Sequence, residues 1–174
     1  TLTPHTWKRI HMLIYVAYWL LVGHVLLGAL QSERNLMLPV VLGIGVLMVT
    51  GLHLAAAHKE RTVDDERRAA EADGFVSVCD VSSIPAKCAQ VVTVGSERVA
   101  VFRYDGRVSA VSNVCRHQNG PIGEGRIIDG CITCPWHGYQ YLPDTGMSPP
   151  PYNDKVPIYR TRIVGDRVFV HPRS

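Results

Sequence analysis

Hydrophobic and polar positions divide the chain into three parts. Residues 10–30 are apolar apart from His11, His24 and the hydroxyls of Tyr15 and Tyr18, and residues 36–57 form a second such run. Each is close to the roughly 20 residues that an α-helix needs to cross a bilayer. The polar residues between them, Gln31, Ser32, Glu33, Arg34 and Asn35, predict a turn. Residues 1–58 therefore read as a transmembrane helical hairpin with both ends on one side. Pro39 falls in the first turn of the second helix, where its missing N–H costs little, and Gly43 and Gly51 leave room for close helix contact. Residues 59–74 switch to charges of both signs with alanines between them. That pattern predicts a solvated helical linker with Gly74 as its stop. From residue 75 onward short β-branched runs take over, at 75–78, 89–94, 99–104, 108–111, 126–133, 158–164 and 168–171. Gly95-Ser96, Asp105-Gly106 and Gly165-Asp166 separate several of them, and Asp-Gly is a strong hairpin signal. The expected fold is multidomain: the α-helical hairpin, the linker, and an antiparallel all-β domain over residues 75–174.

Charge adds an orientation. Lys8 and Arg9 precede the first span and Lys59, Arg61, Arg67 and Arg68 follow the second, whereas the turn carries Arg34. By the positive-inside rule both ends face the cytoplasm, so the expectation is a protein of the bacterial inner membrane with its β-domain on the cytoplasmic side and the lipid bilayer as a partner. The net charge of +3 is too small to argue for nucleic acid, and acids balance the linker arginines. The mean hydropathy of +0.06 averages an apolar third with a polar remainder. The chain opens on Thr1 rather than Met and shows no signal-peptide cleavage pattern, so Thr1 is not taken as the native start.

Candidate chemistry concentrates in two short pairs within the β-domain, Cys115-x-His117 and Cys134-x-x-His137, sixteen residues apart. Two thiolates with two imidazoles suit zinc or an iron–sulfur cluster, and zinc usually wants wider spacing inside each pair. With Gly120 and Pro121 after the first pair and Pro135 and Trp136 inside the second, the layout closely resembles the Rieske [2Fe–2S] family, and from about residue 75 to 172 it is most similar to Rieske ferredoxins. The resemblance implies that Cys115 and Cys134 hold one iron and His117 and His137 the other. Neutral imidazoles in place of two thiolates imply a reduction potential in the range roughly −150 to +300 mV. Rieske proteins of quinol-oxidising cytochrome bc complexes join the two loops by a disulfide, and the corresponding positions here are Gly120 and Trp136. Of the Ser and Tyr hydroxyls that those proteins direct at the cluster sulfurs, Tyr139 stands at the Ser position and Tyr141 keeps the other, which implies an intermediate potential. Trp136 is expected to pack beside the cluster. Gly120, Gly123 and Gly125 are expected to bend the first loop and offer amides to sulfur, and Pro149, Pro150 and Pro151 to form a third loop covering the cluster. The remaining Cys79, Cys88 and Cys131 are an odd number, which does not suggest a disulfide framework.

The membrane segment carries a second candidate. An imidazole in a hydrocarbon span is costly without a partner, and His11 and His24 lie thirteen residues apart, about 20 Å along a helix. That is the depth pattern of axial ligands to two stacked b haems. Through Trp7, Lys8, His11, Tyr15 and His24 the first sixty residues resemble the last two helices of the ferric reductase-like transmembrane family. The resemblance implies haem b with opposite ligands from a membrane haem subunit or from helices N-terminal to this chain. Thirteen residues turn an ideal helix by about 220°, so the two imidazoles do not share one face of a regular helix.

Two functions follow. One is a membrane-bound electron-transfer subunit whose Rieske cluster exchanges single electrons with membrane haem or a redox partner protein. The other is a membrane-tethered Rieske ferredoxin without haem, serving a soluble oxygenase or reductase. A self-contained oxygenase would need a separate 2-His-1-carboxylate iron site, for which the β-domain has too few histidines, His171 alone being left beside His117 and His137.

Overall fold

The computed structural model describes residues 4–32 and 37–173. The side chains of residues 4–9, 11–12, 29–30, 32 and 38 and the turn at 33–36 lie outside the described set, and with them the expected roles of Trp7, Lys8 and His11. The chain divides into two compact units, Thr1–Lys59 and Glu60–Ser174.

In the first unit, α1 (Pro4–Ser32) is followed by the greater part of α2 (Met37–Ala72). Leucine, isoleucine and valine occupy every side of these helices, and most of those side chains remain uncovered: Leu20 is 71% exposed and Leu47 70%, while Val46 is buried. A soluble core helix would bury such a surface. Intrahelical bonds satisfy the helix backbone, and the Thr50 hydroxyl donates to the Val46 carbonyl at 2.8 Å. Among the described residues one helix, Pro39–Ala72, is long and apolar enough to cross a membrane, with a mean hydropathy of 2.2 in its most apolar stretch. The apolar stretch described in α1, Leu13–Gly28, is shorter than a crossing. The expected two-span hairpin is thus met by one helix on length and composition.

The second unit is built on ten strands: β1 (Val76–Asp80), β2 (Ala89–Val94), β3 (Glu97–Tyr104), β4 (Arg107–Ser112), β5 (Arg126–Ile128), β6 (Cys131–Thr133), β7 (Gln140–Tyr141), β8 (Ile158–Tyr159), β9 (Thr161–Val164) and β10 (Arg167–Val170). They form three antiparallel sheets in the orders β1-β10-β9, β2-β3-β4-β8 and β5-β6-β7. The central sheet is covered on both faces, which explains the unbroken apolar run Val99, Ala100, Val101, Phe102 in β3. Ala100 and Phe102 face a core shared with Ile122, Ile127, Ile132, Tyr141 and the thiols of Cys115 and Cys134. Val99 and Val101 face the opposite core, with Ile84, Val168 and Val170. Each fully buried side chain of this size contributes about 1.5–3 kcal/mol relative to exposure, so both faces hold the sheet that carries the first candidate loop.

Three expectations need correction. The run at 126–133 is a hairpin, β5–β6, because Asp129 and Gly130 both take positive φ, at 50° and 79°. Such a pair turns the chain within two residues, and this Asp-Gly signal sat inside what reads as one strand. The run at 158–164 breaks at Arg160: β8 pairs with β4 and β9 with β10, so the chain changes sheets there. The charged segment at 59–74 is helical through Ala72, but one side of it is not solvated. Ala70 is fully buried with Phe75, Val164 and Phe169, Val63 packs on the same cluster, and Arg162 meets Asp73 at 3.0 Å. Gly74 ends the helix at φ +83°, with Gly74 N donating to Glu71 O and Phe75 N to Ala70 O. This is a left-handed cap whose outer residue packs back on the last turn.

Candidate metal centre

Two loops project from the shared core with the same hydrogen-bond frame. In the first, Cys115 N donates to Gly120 O at 2.9 Å and Asn119 N returns to Cys115 O at 2.8 Å. In the second, Cys134 N donates to Tyr139 O at 2.8 Å and Gly138 N returns to Cys134 O at 3.0 Å. The residue four beyond each cysteine is left-handed, Asn119 at φ 59° and Gly138 at 69°. Asn and Gly are the residues that tolerate this region most readily. The sequence therefore encodes two matching loops, each with a cysteine at its base and a histidine at its tip.

The bases are dry and the tips are wet. Cys115 and Cys134 are 1% and 2% exposed, whereas His117 and His137 are exposed, with ring centroids 4.9 Å apart and planes at 83°. Burial pushes the Cys134 thiol up; the amides of Trp136 and His137, which face its sulfur, act in the opposite direction, and the neighbouring Cys115 thiol adds to the rise. Tyr141 is fully buried between the loops. Its hydroxyl accepts from Arg116 N at 2.9 Å and lies 3.2 Å from Cys115 Sγ. Burial and that thiol contact raise the phenol well above its ordinary range.

Packing explains the small residues. A Cβ on Gly120 would lie 3.0 Å from Cys134 Sγ and 3.1 Å from the Trp136 ring, so the loops meet where Trp136 fills the space over Gly120. Trp136 is still 58% exposed and stands nearly perpendicular to the His137 ring. Pro121 bridges to Val114 and closes the first loop at its foot. Gly123 and Gly125 do not aim their amides at sulfur. Gly123 N donates to Asn113 Oδ1 at 2.7 Å and Gly125 N to Ile122 O at 2.9 Å. Their need for glycine is steric, since a Cβ would come within 2.4 Å of Val91 and 2.0 Å of Thr133 O respectively. The sulfur-facing amides come from Trp136 and His137 instead.

The third loop holds the exposed Pro150, joined to Pro151 by a cis peptide bond. Its contact with the second loop is made by Asp154, which accepts a hydrogen bond from the Tyr139 hydroxyl, and by Tyr152, whose ring lies 4.9 Å from that of Tyr139. Asn113, Asp154 and Tyr152 were not singled out from the sequence. Their contacts join residues brought together by the fold rather than by spacing. All five cysteines are free thiols, so the loops carry no disulfide.

This donor set can be tested against the two cofactors that the residue types allow. The thiols approach one another, and so do the imidazoles. Among the described residues no three His, Cys, Asp or Glu side chains gather as a single-ion site. Donors arranged two by two, sulfur inside and nitrogen outside, suit a two-iron cluster better than one tetrahedral zinc. His24 lies exposed on α1. His53 of α2 is engaged by the Val49 carbonyl at 2.9 Å and by the Tyr15 ring.

A family model for the Rieske [2Fe-2S] domain matches residues 74–160, half of the chain. The biphenyl dioxygenase ferredoxin subunit of Pseudomonas sp. (strain KKS102) is 32% identical over 99 residues, covering 55% of this chain and 90% of its own length. The anthranilate 1,2-dioxygenase ferredoxin subunit of Burkholderia cepacia is 35% identical over 80 residues, 44% of this chain and 72% of that protein. Among solved structures, the ferredoxin of carbazole 1,9a-dioxygenase from Nocardioides aromaticivorans IC177 superposes with a TM-score of 0.53 at 24% identity, covering 57% of this chain and 98% of its own; it shares the fold. From two matching Cys/His loops, a three-sheet β-fold and these relatives, the chain belongs to the Rieske [2Fe-2S] domain family.

Proposed function

We propose that this chain is a membrane-tethered Rieske ferredoxin, passing single electrons to an oxygenase or reductase partner. The observation that carries the reading is the pair of matching loops with buried sulfurs and exposed imidazoles. Cys115 and Cys134 would hold one iron of the cluster, and His117 and His137 the other. The cluster, when bound, supplies storage of one electron. The chain's own groups tune and deliver it: the Tyr141 hydroxyl lies 3.2 Å from the Cys115 sulfur, to which it would donate once that sulfur is a thiolate, and the Trp136 and His137 amides face the Cys134 sulfur. Hydrogen bonds to sulfur favour the reduced state and raise the potential. The exposed edges of His117 and His137, beside the half-exposed Trp136, are the short route to a docked partner.

The tether is the α2 segment, whose apolar surface is left mostly exposed among the described residues. With α1 beside it as a second span, the positive-inside rule sets the Rieske domain on the cytoplasmic face of a bacterial inner membrane. The relatives that are ferredoxin subunits of dioxygenases support an oxygenase component as the electron acceptor. A haem-coupled version would place b haems on His11 and His24, with opposite ligands from other helices. Optical spectra of the detergent-purified protein separate the two. Rieske bands without b-haem bands support the tethered ferredoxin, and b-haem bands that disappear in the His24→Ala protein would replace it with the haem-coupled subunit.

A further inference from the structure

Tyr139 occupies a place that electron transfer through the four donors does not by itself require. Its ring lies parallel to that of His117, at 4° with centroids 5.3 Å apart, although the two residues belong to different loops. The offset-parallel arrangement is the favourable one for two π-systems. Four other contacts fix Tyr139: its carbonyl accepts from Cys134 N, its hydroxyl donates to Asp154, and its ring packs on Tyr141 at 5.4 Å and on Tyr152 at 4.9 Å. The platform is therefore tied to the base of its own loop and to the third loop while it touches the histidine of the opposite loop. The two imidazoles are held unequally. His117 has a parallel ring against it, whereas His137 meets Trp136 and His117 with its plane nearly perpendicular to theirs, at 87° and 83°.

We propose that Tyr139 is a positioning residue that fixes the ring plane of His117, through a stack that Asp154 anchors from the third loop. The inference rests on His117 and His137 as the imidazole ligands. A histidine at an exposed loop tip keeps rotational freedom that a single bond to iron narrows but does not remove, and a parallel ring itself held by four contacts restricts what is left. Position 139 then sets the environment of the histidine-held iron through one imidazole only. It acts by its ring, with the hydroxyl serving to hold that ring in place.

The test is pulsed EPR on the reduced full-length protein in detergent, with its histidines labelled with ¹⁵N, together with potentiometry. The wild type shows two imidazole couplings; a wild type without them would overturn the ligand assignment itself, which is a separate failure. In Tyr139→Leu one coupling moves and the other stays, and the reduction potential shifts. In Tyr139→Phe, which keeps the ring and loses the Asp154 bond, both couplings stay centred near their wild-type values, and the one that moves in Tyr139→Leu broadens as it does in Asp154→Ala. Tyr139→Leu with a full cluster and two unmoved couplings would overturn the proposal. So would Tyr139→Phe moving the coupling as far as Tyr139→Leu does. If Tyr139→Leu fails to assemble a cluster, Asp154→Ala decides: loss of the anchor is expected to broaden the distribution of one coupling, and unchanged widths of both would be the contrary result.

Discussion

Tyr141 is the side chain through which protein and inner sulfur speak most directly, since its hydroxyl lies 3.2 Å from Cys115 Sγ and is fixed by Arg116 N. Removing it in Tyr141→Phe leaves the ring packing and deletes a bond that strengthens as the sulfur gains charge. The midpoint potential should fall by some tens of millivolts, given that a tenfold change in equilibrium is about 59 mV for one electron. His117→Cys goes further, because a thiolate replaces a neutral donor. Its potential should move toward the roughly −400 mV of all-cysteine plant-type clusters, as potentiometry with EPR detection would read. Tyr104 offers a prediction away from the centre. Burial, and then its bond to Asp144 at 3.0 Å, push its pKa up to about 12. A phenol raised in the folded state stabilises fully below its unfolded pKa of about 10, and that contribution is lost as pH climbs through the folded value. Thermal midpoints of wild type and Tyr104→Phe should therefore converge between pH 10 and 12, with the wild type losing more. At this scale the four donors are legible in the sequence, because chemistry restricts them to Cys and His at short spacings. Tyr139 was visible only as a departure at the Ser position. Its use as a platform depends on Asp154 and Tyr152, which a third loop delivers and no local pattern announces.

Among the elements, the two loops repeat one frame, with a left-handed residue four beyond each cysteine. Asn119 and Gly138 are suggestive at those places in the sequence, but the frame appears only once the carbonyl partners are known. The strands were legible where β-branched runs had clear turns, as in β2, β3 and β4. They were misread where a turn pair lay inside an apolar run, at Asp129-Gly130, or where one residue, Arg160, moves the chain between sheets. The glycines of the first loop suggested bending and amide donation, whereas Gly123 and Gly125 are needed for close approach. Two substitutions separate these roles. In Gly125→Ala the new methyl meets the Thr133 carbonyl, adjacent to Cys134, so stability should drop by about 1–3 kcal/mol or more and cluster occupancy with it. In Gly74→Ala the methyl finds ordinary contact with His171, and the cost is the positive φ alone. About 1 kcal/mol should then be lost, read as a lower thermal midpoint, with the visible spectrum unchanged.

Over the whole molecule, an apolar helical unit precedes a Rieske unit whose first element is the end of the same helix α2. The division was legible because composition changes sharply near residue 58. The packing of Ala70 and Val63 was hidden, since alanines among charges read as solvent-facing until Phe75, Val164 and Phe169 are seen to cover one side. If the first unit is a tether, the protein made in bacterial cells should sediment with membranes and stay there through an alkaline carbonate wash; release by that wash would remove the bilayer from the account. The central claim concerns the four donors, and low-temperature EPR of the intact reduced protein tests it most directly. The expected result is about one S = ½ signal per chain with nitrogen couplings from two imidazoles. A silent sample containing one zinc per chain, or a cluster signal without imidazole nitrogen, would contradict it.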